Sequence, residues 1–223
     1  PNRRYASLKF FLFTLFGSAL MLVSFLALFF LTGAESFVFA EIADNVLSHG
    51  VSRTAQLWIF GGMFLGFGIK VPMFPFHTWL PDAHTDAPTA ASVMLAGVLL
   101  KMGGYGLLRI NVGMFPSQTD RFAWALVALG VISVLYGAVV TMRQTDLKRL
   151  IAFSSISHMG LVLIGIGSVG ISQGTLTVTG LNGAAMQLFT HGTVTGLLFL
   201  AVGLVYDKTG TRYIPDLGGL AGR

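Results

Sequence analysis

From Leu150 to Tyr206 the chain contains no Asp, Glu, Lys or Arg. A membrane-spanning helix needs roughly 20 apolar residues, so this run is too long for one span. Over the whole chain 54% of the residues are hydrophobic and only 10% are charged, whereas soluble domains have about 25% charged residues. The chain is therefore predicted to be all-α, a polytopic bundle of membrane helices.

The apolar segments divide into six predicted spans within a single transmembrane domain over residues 1–223. The spans lie near 9–31, 54–80, 88–109, 122–142, 149–170 and 180–206. The last two are separated by residues 170–180, GISQGTLTVTG, in which glycines and small polar residues favour a tight turn. Residues 35–53 carry several charges and are predicted to be a loop exposed to water.

The basic residues favour one orientation of these spans. Nine of them lie on the side of the two termini (Arg3, Arg4, Lys9, Arg143, Lys148, Arg149, Lys208, Arg212 and Arg223), and three lie opposite (Arg53, Arg109 and Arg121). The positive-inside rule then predicts cytoplasmic termini. The same rule explains the basic balance of the chain, so we expect a lipid bilayer around it and no nucleic acid.

Two further features of the sequence limit the class of protein. The chain has no cysteine, which excludes disulfides, thiolate-bound iron–sulfur clusters and cysteine nucleophiles within it. It begins PNRRYASLKF, with neither an initiator Met nor a signal peptide. We therefore expect it to be part of a longer chain.

The second span carries a charge and several prolines, in FGIKVPMFPFHTWLPDAHTDAPT at residues 67–89. Lys70 alone is compatible with a lysine that reaches the interface from a helix end. However, apolar residues continue to Leu80, so the segment is longer than one unbroken span. Pro72 removes a backbone donor and should break the helix near Lys70, with Pro75 just beyond. Broken helices at membrane depth survive where they line a hydrated cavity or are covered by protein.

Lys101 lies about halfway through the third span, in AGVLLKMGGYGLLRI. An unpaired lysine at this depth is costly, so it should face the protein interior or water and find a partner. The glycines that follow it, Gly103, Gly104 and Gly106, would let another helix approach closely.

His158 and His191 are placed near the middle of the last two spans, among serines, threonines and Gln187. Histidine titrates near neutral pH, and rows of such side chains pass protons. A proton path is therefore predicted through both histidines, with a bis-histidine haem site as the alternative. His77 and His84 lie with Asp82 and Asp86 in a predicted loop, where capping and loop hydrogen bonds are favoured over a metal site.

None of the predicted spans contains Asp or Glu. Lys70 therefore has no obvious acidic partner in the sequence, and its partner must be another part of a longer chain, another subunit or water.

The stretch FGIKVPMFPFHTWLPDAHTDAPTAASVMLAGVLLKMGGYGLLRI closely resembles the antiporter-like membrane subunits of respiratory complex I, and TDLKRLIAFSSISHMGLVLIGIG supports the resemblance. Within that family the pattern is most similar to the branch called chain M or chain 4. The resemblance implies a bundle of about fourteen helices, built from two inverted five-helix repeats with one broken helix each. The six spans look like the sixth to the eleventh of these helices.

The resemblance also implies roles for individual residues. Lys70 matches the lysine on the first broken helix and Lys101 the central lysine on the next helix. His158 and His191 match polar positions of the second half-channel and the connecting axis. The family's membrane glutamate before the first span and its second broken helix have no counterpart in residues 1–223, so the channel is expected to be incomplete in this stretch.

The function implied is that of a proton-translocating membrane subunit of an oxidoreductase that transfers electrons from NADH, or a related donor, to quinone. No cofactor is expected in this chain, and flavin, iron–sulfur clusters and quinone are expected in other subunits. The partners would be other membrane subunits, including antiporter-like neighbours, in a bacterial plasma membrane or alternatively a thylakoid or mitochondrial one. The alternative function is a secondary sodium/proton antiporter subunit of the related type.

Overall fold

A computed structural model of the chain describes residues 2–171 and 178–219. Within these ranges the chain is helical, and the only strand-like pairing is an isolated bridge between Asp146 and Tyr213. The helices are α1 (Arg3–Thr32), α2 (Phe39–Asn45), α3 (Arg53–Lys70), α4 (Trp79–Asp86), α5 (Thr89–Val112), α6 (Pro116–Met142), α7 (Leu147–Ile171) and α8 (Val178–Thr209). The predicted all-α fold class is confirmed.

Five of the described helices are long and apolar enough to cross a membrane, namely α1, α5, α6, α7 and α8. The predicted number of six is therefore wrong. The expected second span, 54–80, is divided: α3 has only 18 residues and carries Arg53 and Lys70 at its two ends, and α4 follows after a turn. The predicted break near Lys70 is the reason why this segment does not count as one continuous span.

Three local predictions meet different outcomes. The predicted loop 35–53 contains the short helix α2 and a π-helical turn, Val46–Gly50, so it is only partly loop. The predicted loop around PFHTWLPDAHTDAP is wrong from Trp79 onwards, because this part forms α4, which ends at Asp86. Most of the predicted turn at 170–180 lies outside the described residues.

The long helices pack closely where small residues face each other. A Cβ atom added to Gly130 of α6 would lie 2.8 Å from the carbonyl oxygen of Gly160 on α7, and one added to Gly66 of α3 would lie 2.6 Å from the Gly17 carbonyl on α1. Without hydrophobic driving force between helices in lipid, such close backbone contact supplies much of the attraction.

Two groups of buried apolar side chains lie inside the bundle. The larger has members on all eight helices and includes the fully buried Trp79 of α4. The smaller, called here the Phe199 cluster, consists of Ala96, Ile151, Phe199 and Val202, so it joins α5, α7 and α8. The Phe199 cluster lies beside the candidate functional residues described next.

Candidate proton-handling site

The helix break begins directly after Lys70. The Val71 amide still donates to the Phe67 carbonyl at 2.8 Å, and the Met73 amide donates to Gly68 at 3.2 Å. Pro72 is buried in the turn, and the Phe74–Pro75 peptide bond is cis. Because proline has no amide hydrogen, the helix cannot continue through these positions with its regular hydrogen bonds.

Two side chains from outside the turn satisfy its backbone. The indole Nε1–H of Trp79 donates to the Ile69 carbonyl at 2.9 Å, and the Phe74 amide donates to the Ser133 hydroxyl at 3.0 Å. Ser133 lies on α6, is fully buried, and donates its own hydrogen to Leu129. The broken helix is therefore hydrogen-bonded at the break, as buried backbone groups must be.

Lys70 lies at the contact between α3 and α5. A Cβ atom on Gly103 would lie 2.9 Å from both the Lys70 Cβ and the Phe67 carbonyl oxygen, so only a glycine allows this approach. The ion pairs in the described part of the chain are Lys9–Asp82 and Arg212–Asp146, and neither includes Lys70.

Lys101 reaches two acceptors on different helices. Its Nζ lies 2.9 Å from Nδ1 of His191 on α8, and it also donates to the Ala96 carbonyl on α5. Ala96 belongs to a π-helical turn, Leu95–Leu99, of a kind often found at functional sites in helices. The two positions singled out in the sequence, 90 residues apart, thus form one side-chain pair.

His191 is buried and continues from Lys101 towards His158. The two imidazole centroids are 5.3 Å apart, and Nδ1 of His158 lies 3.0 Å from Nε2 of Gln187. The remaining polar neighbours expected from the sequence do not extend this row, because Ser155, Thr190 and Thr193 donate to carbonyls of their own helices. The described row is therefore Lys101, His191, His158 and Gln187.

The two histidines of the α4 segment occupy different surroundings. His77 packs against Phe74 and Tyr136, and burial, with a smaller contribution from Lys9, lowers its pKa. His84 is fully buried and stacks on Phe199, with ring centroids 4.5 Å apart. Burial first, then the charges of Lys148 and Lys101, lower the pKa of His84 to about 3.

Asp82 and Lys148 make structural contacts near these histidines. Asp82 forms an ion pair of 2.8 Å with Lys9, which joins α4 to α1. Lys148 of α7 is buried, and its Nζ donates to the Ala87 carbonyl at 2.6 Å. Neither Lys148 nor Ser133 is predicted from the sequence as a site residue. Lys148 contributes there only to the count of basic residues that predicts the orientation, and no sequence pattern indicates Ser133. The buried position of Lys148 depends on a carbonyl 61 residues away.

The haem and metal alternatives both concern the histidines of this bundle. The ring centroids of His158 and His191 are 5.3 Å apart, and Nδ1 of His191 contacts Lys101. In residues 2–171 and 178–219, no group of three His, Asp or Glu side chains could hold a metal ion.

Comparison with known proteins identifies one family of membrane subunits. The family described as "NADH:quinone oxidoreductase/Mrp antiporter, TM" matches residues 1–223. The chain is 46% identical over 98% of its length to NAD(P)H-quinone oxidoreductase chain 4 3 of Picosynechococcus sp., and 43% identical over all of it to NADH-quinone oxidoreductase subunit M of Rickettsia prowazekii. It spans 38% and 43% of the lengths of these relatives.

A solved structure gives the same result. A chain in "Respiratory complex I from Thermus thermophilus with bound NADH" superimposes with a TM-score of 0.89 at 35% identity, covering 99% of this chain and 45% of the other. The predicted fold class and the resemblance to antiporter-like subunits are confirmed.

Proposed function

This chain belongs to the family of NADH:quinone oxidoreductase/Mrp antiporter membrane subunits, and we propose from that premise that it translocates protons as part of a quinone oxidoreductase complex. The observation that carries the proposal is the contact of 2.9 Å between Lys101 Nζ and His191 Nδ1 inside the bundle. A lysine and a histidine in direct contact exchange a proton without any further group. The names of the relatives support subunit M, or chain 4, as the role within the complex.

In the proposed path Lys101 holds the proton and His191 receives it. The Lys101 ammonium donates its proton to Nδ1 of His191, and the N–H on Nε2 of the same ring then gives up a proton towards His158. Nε2 of His191 is buried and has no hydrogen-bond partner in the described residues, so it is free for this step. One proton enters and one leaves, so the pair returns to its starting charge.

Lys70 would couple this path to a distant event. An acid from another part of a longer chain, or from a neighbouring subunit, would pair with Lys70 in one state and leave it in another. The Cβ atom of Lys70 lies against Gly103, which follows Lys101 by two residues on the same helix. A change in the charge environment of Lys70 therefore acts directly on the helix that carries Lys101. Loss of one ion-pair partner shifts a lysine's proton affinity by one or more pKa units, each worth about 1.4 kcal/mol.

The rest of the proposed setting follows the relatives. Electron transfer from NADH, or a related donor, to quinone would occur in other subunits that hold flavin and iron–sulfur clusters. This chain would lie in a multi-pass arrangement beside antiporter-like neighbours, in a bacterial plasma membrane, with the two ends of the stretch on the cytoplasmic side as the basic residues predict.

The experiment is Lys101→Ala in the full-length chain within the intact complex, reconstituted in liposomes. Removing the ammonium breaks the path at its centre, so proton pumping should fall at least tenfold while the complex still assembles. Assembly is measured as the amount of purified complex, and pumping as protons moved per electron. A wild-type proton-to-electron ratio in Lys101→Ala would refute the proposed role.

The alternative, a sodium/proton antiporter without redox partners, uses the same residues and is tested separately. Purification of the full-length chain from its native membrane should bring flavin and iron–sulfur subunits with it if the redox-linked role is right. A preparation that lacks them and exchanges sodium for protons would favour the antiporter.

A further inference from the structure

His84 is a titratable side chain that the proposed path does not use. It is fully buried, and neither of its ring nitrogens has a hydrogen-bond partner in the described part of the chain. Buried polar groups are nearly always paired, so an exception at an imidazole requires a reason.

A polar cleft of about 670 Å³, called here the polar vestibule, opens near His84; its charged lining is Arg3, Asp86, Lys148, Asp207 and Arg212. Ala87, which also lines it, follows His84 by three residues, so the vestibule comes within one helical turn of the histidine. The carbonyl of Ala87 is the acceptor of Lys148 Nζ.

The Lys101 pair is connected to His84 through Phe199 and Ala96. The His84 ring stacks on Phe199 with an interplanar angle of 12°, and Phe199 packs with Ala96 in the Phe199 cluster. The Ala96 carbonyl is the acceptor of Lys101 Nζ. The positive charges of Lys148 and Lys101 both lower the pKa of His84.

We propose that His84 carries protons between the polar vestibule and Lys101. The proposal rests on the proposed function, since it supplies the lysine with its proton. A hydronium ion in the vestibule gives a proton to one ring nitrogen, so an N–H bond forms as an O–H bond breaks. The N–H on the other ring nitrogen breaks, and its proton passes through a water molecule to the free amine of Lys101.

The surroundings of His84 fit a carrier that passes protons on without storing them. Because burial and two positive neighbours hold its pKa far below neutral, His84 is uncharged at pH 7 and releases an added proton readily. Rotation of the flat ring about its Cβ–Cγ bond exchanges the two nitrogens while the stack on Phe199 is kept, which resets the carrier.

The test is His84→Phe in the full-length chain within the intact, reconstituted complex. Phenylalanine keeps the stack on Phe199 and removes both nitrogens, so assembly and melting temperature should stay near wild type. Quinone reduction and proton pumping should fall at least fivefold, because the amine of Lys101 is reprotonated slowly without His84. Wild-type turnover and pumping in His84→Phe would overturn the proposal.

A second variant separates proton transfer from packing. His84→Ala leaves a space for a small ring, and added imidazole should raise turnover at least threefold. Pyrrole has the same size but no basic nitrogen, so it should have no effect. Equal responses to imidazole and pyrrole, or no response to either, would overturn the proposal even if His84→Phe failed to assemble.

Lys101→Ala, measured alongside, keeps the two proposals apart. Normal pumping in His84→Phe together with lost pumping in Lys101→Ala would remove only the carrier role of His84. Normal pumping in Lys101→Ala would remove the proposed function itself.

Discussion

Lys101 is held by two acceptors that differ in what they can do with a proton. The Ala96 carbonyl only accepts a hydrogen bond, whereas Nδ1 of His191 is basic enough to take up the proton itself in the proposed path. The pair carries one positive charge whether the proton is on the lysine or on the imidazole. Moving it between them therefore creates no new buried charge, which is the costly step in a low-dielectric interior.

The burial of His84 predicts an acid sensitivity that belongs to this single residue. Its pKa is about 3 in the folded chain and returns to its ordinary value of 6.5 on unfolding. Between these values the unfolded chain binds more protons, so His84 favours folding fully above pH 6.5 and lowers stability as the pH falls. At pH 5.5, one unit below the unfolded value, the loss is about 1.4 kcal/mol.

This loss is measured as the difference in stability between the wild type and His84→Phe, at pH 7.5 and at pH 5.5. The wild type should lose stability relative to the variant on acidification. A difference that is the same at both pH values would contradict the enclosed, neutral state of His84.

At the scale of the element, the break between α3 and α4 is an ordered turn, because side chains form hydrogen bonds with its backbone. Trp79 comes from within the segment, but Ser133 comes from α6, a helix that carries no residue of the proposed proton path. The break is therefore fixed against the bundle, so a force on Lys70 would be transmitted to neighbouring helices.

Ser133→Ala should loosen this turn. The Phe74 amide would lose its acceptor, and leaving a buried donor unpaired costs about 1–3 kcal/mol. Hydrogen–deuterium exchange should rise across the turn at residues 71–78, with a lower melting temperature. Ser133→Thr keeps the hydroxyl and serves as the matched control; faster exchange in Thr as in Ala would show that packing at Ser133, and not its hydrogen bond, holds the turn.

The break was predictable from the sequence, whereas what holds it was not. Pro72 ends a helix by its covalent structure, so its effect is local and visible in the sequence. Ser133 looks like any small residue in an apolar span, and its partner lies 59 residues away. Likewise, Lys101 and His191 were recognised by their depth in uncharged spans, but Lys148 was not, because its burial depends on how α7 meets α4 and α5.

At the scale of the whole molecule, hydrogen bonds and an ion pair connect the last two long helices at one face of the bundle. The chain after α8 returns to the start of α7, where the Leu147 amide donates to Arg212 and the Ile214 amide to Thr145. Asp146 lies at the centre of this contact and forms an ion pair of 2.7 Å with Arg212. The polar vestibule lies at the same face, and Arg212 and Lys148 both line it, so these contacts also shape the opening.

Asp146 has two roles, and variants separate them. One oxygen accepts from the amides of Lys148 and Arg149 at 2.9 and 3.1 Å, an N-terminal cap for α7, and the other pairs with Arg212. A cap contributes about 1 kcal/mol, whereas a partly exposed ion pair contributes about 0–1 kcal/mol.

Asp146→Ala should thus lower the unfolding free energy by about 1–2 kcal/mol, and Asp146→Asn and Arg212→Gln by less than half as much. Melting temperatures of the purified chain at low and high salt measure this, since salt screens the pair and leaves the cap. If Arg212→Gln lowers the unfolding free energy as much as Asp146→Ala does, the ion pair and not the cap supplies the stability of this contact.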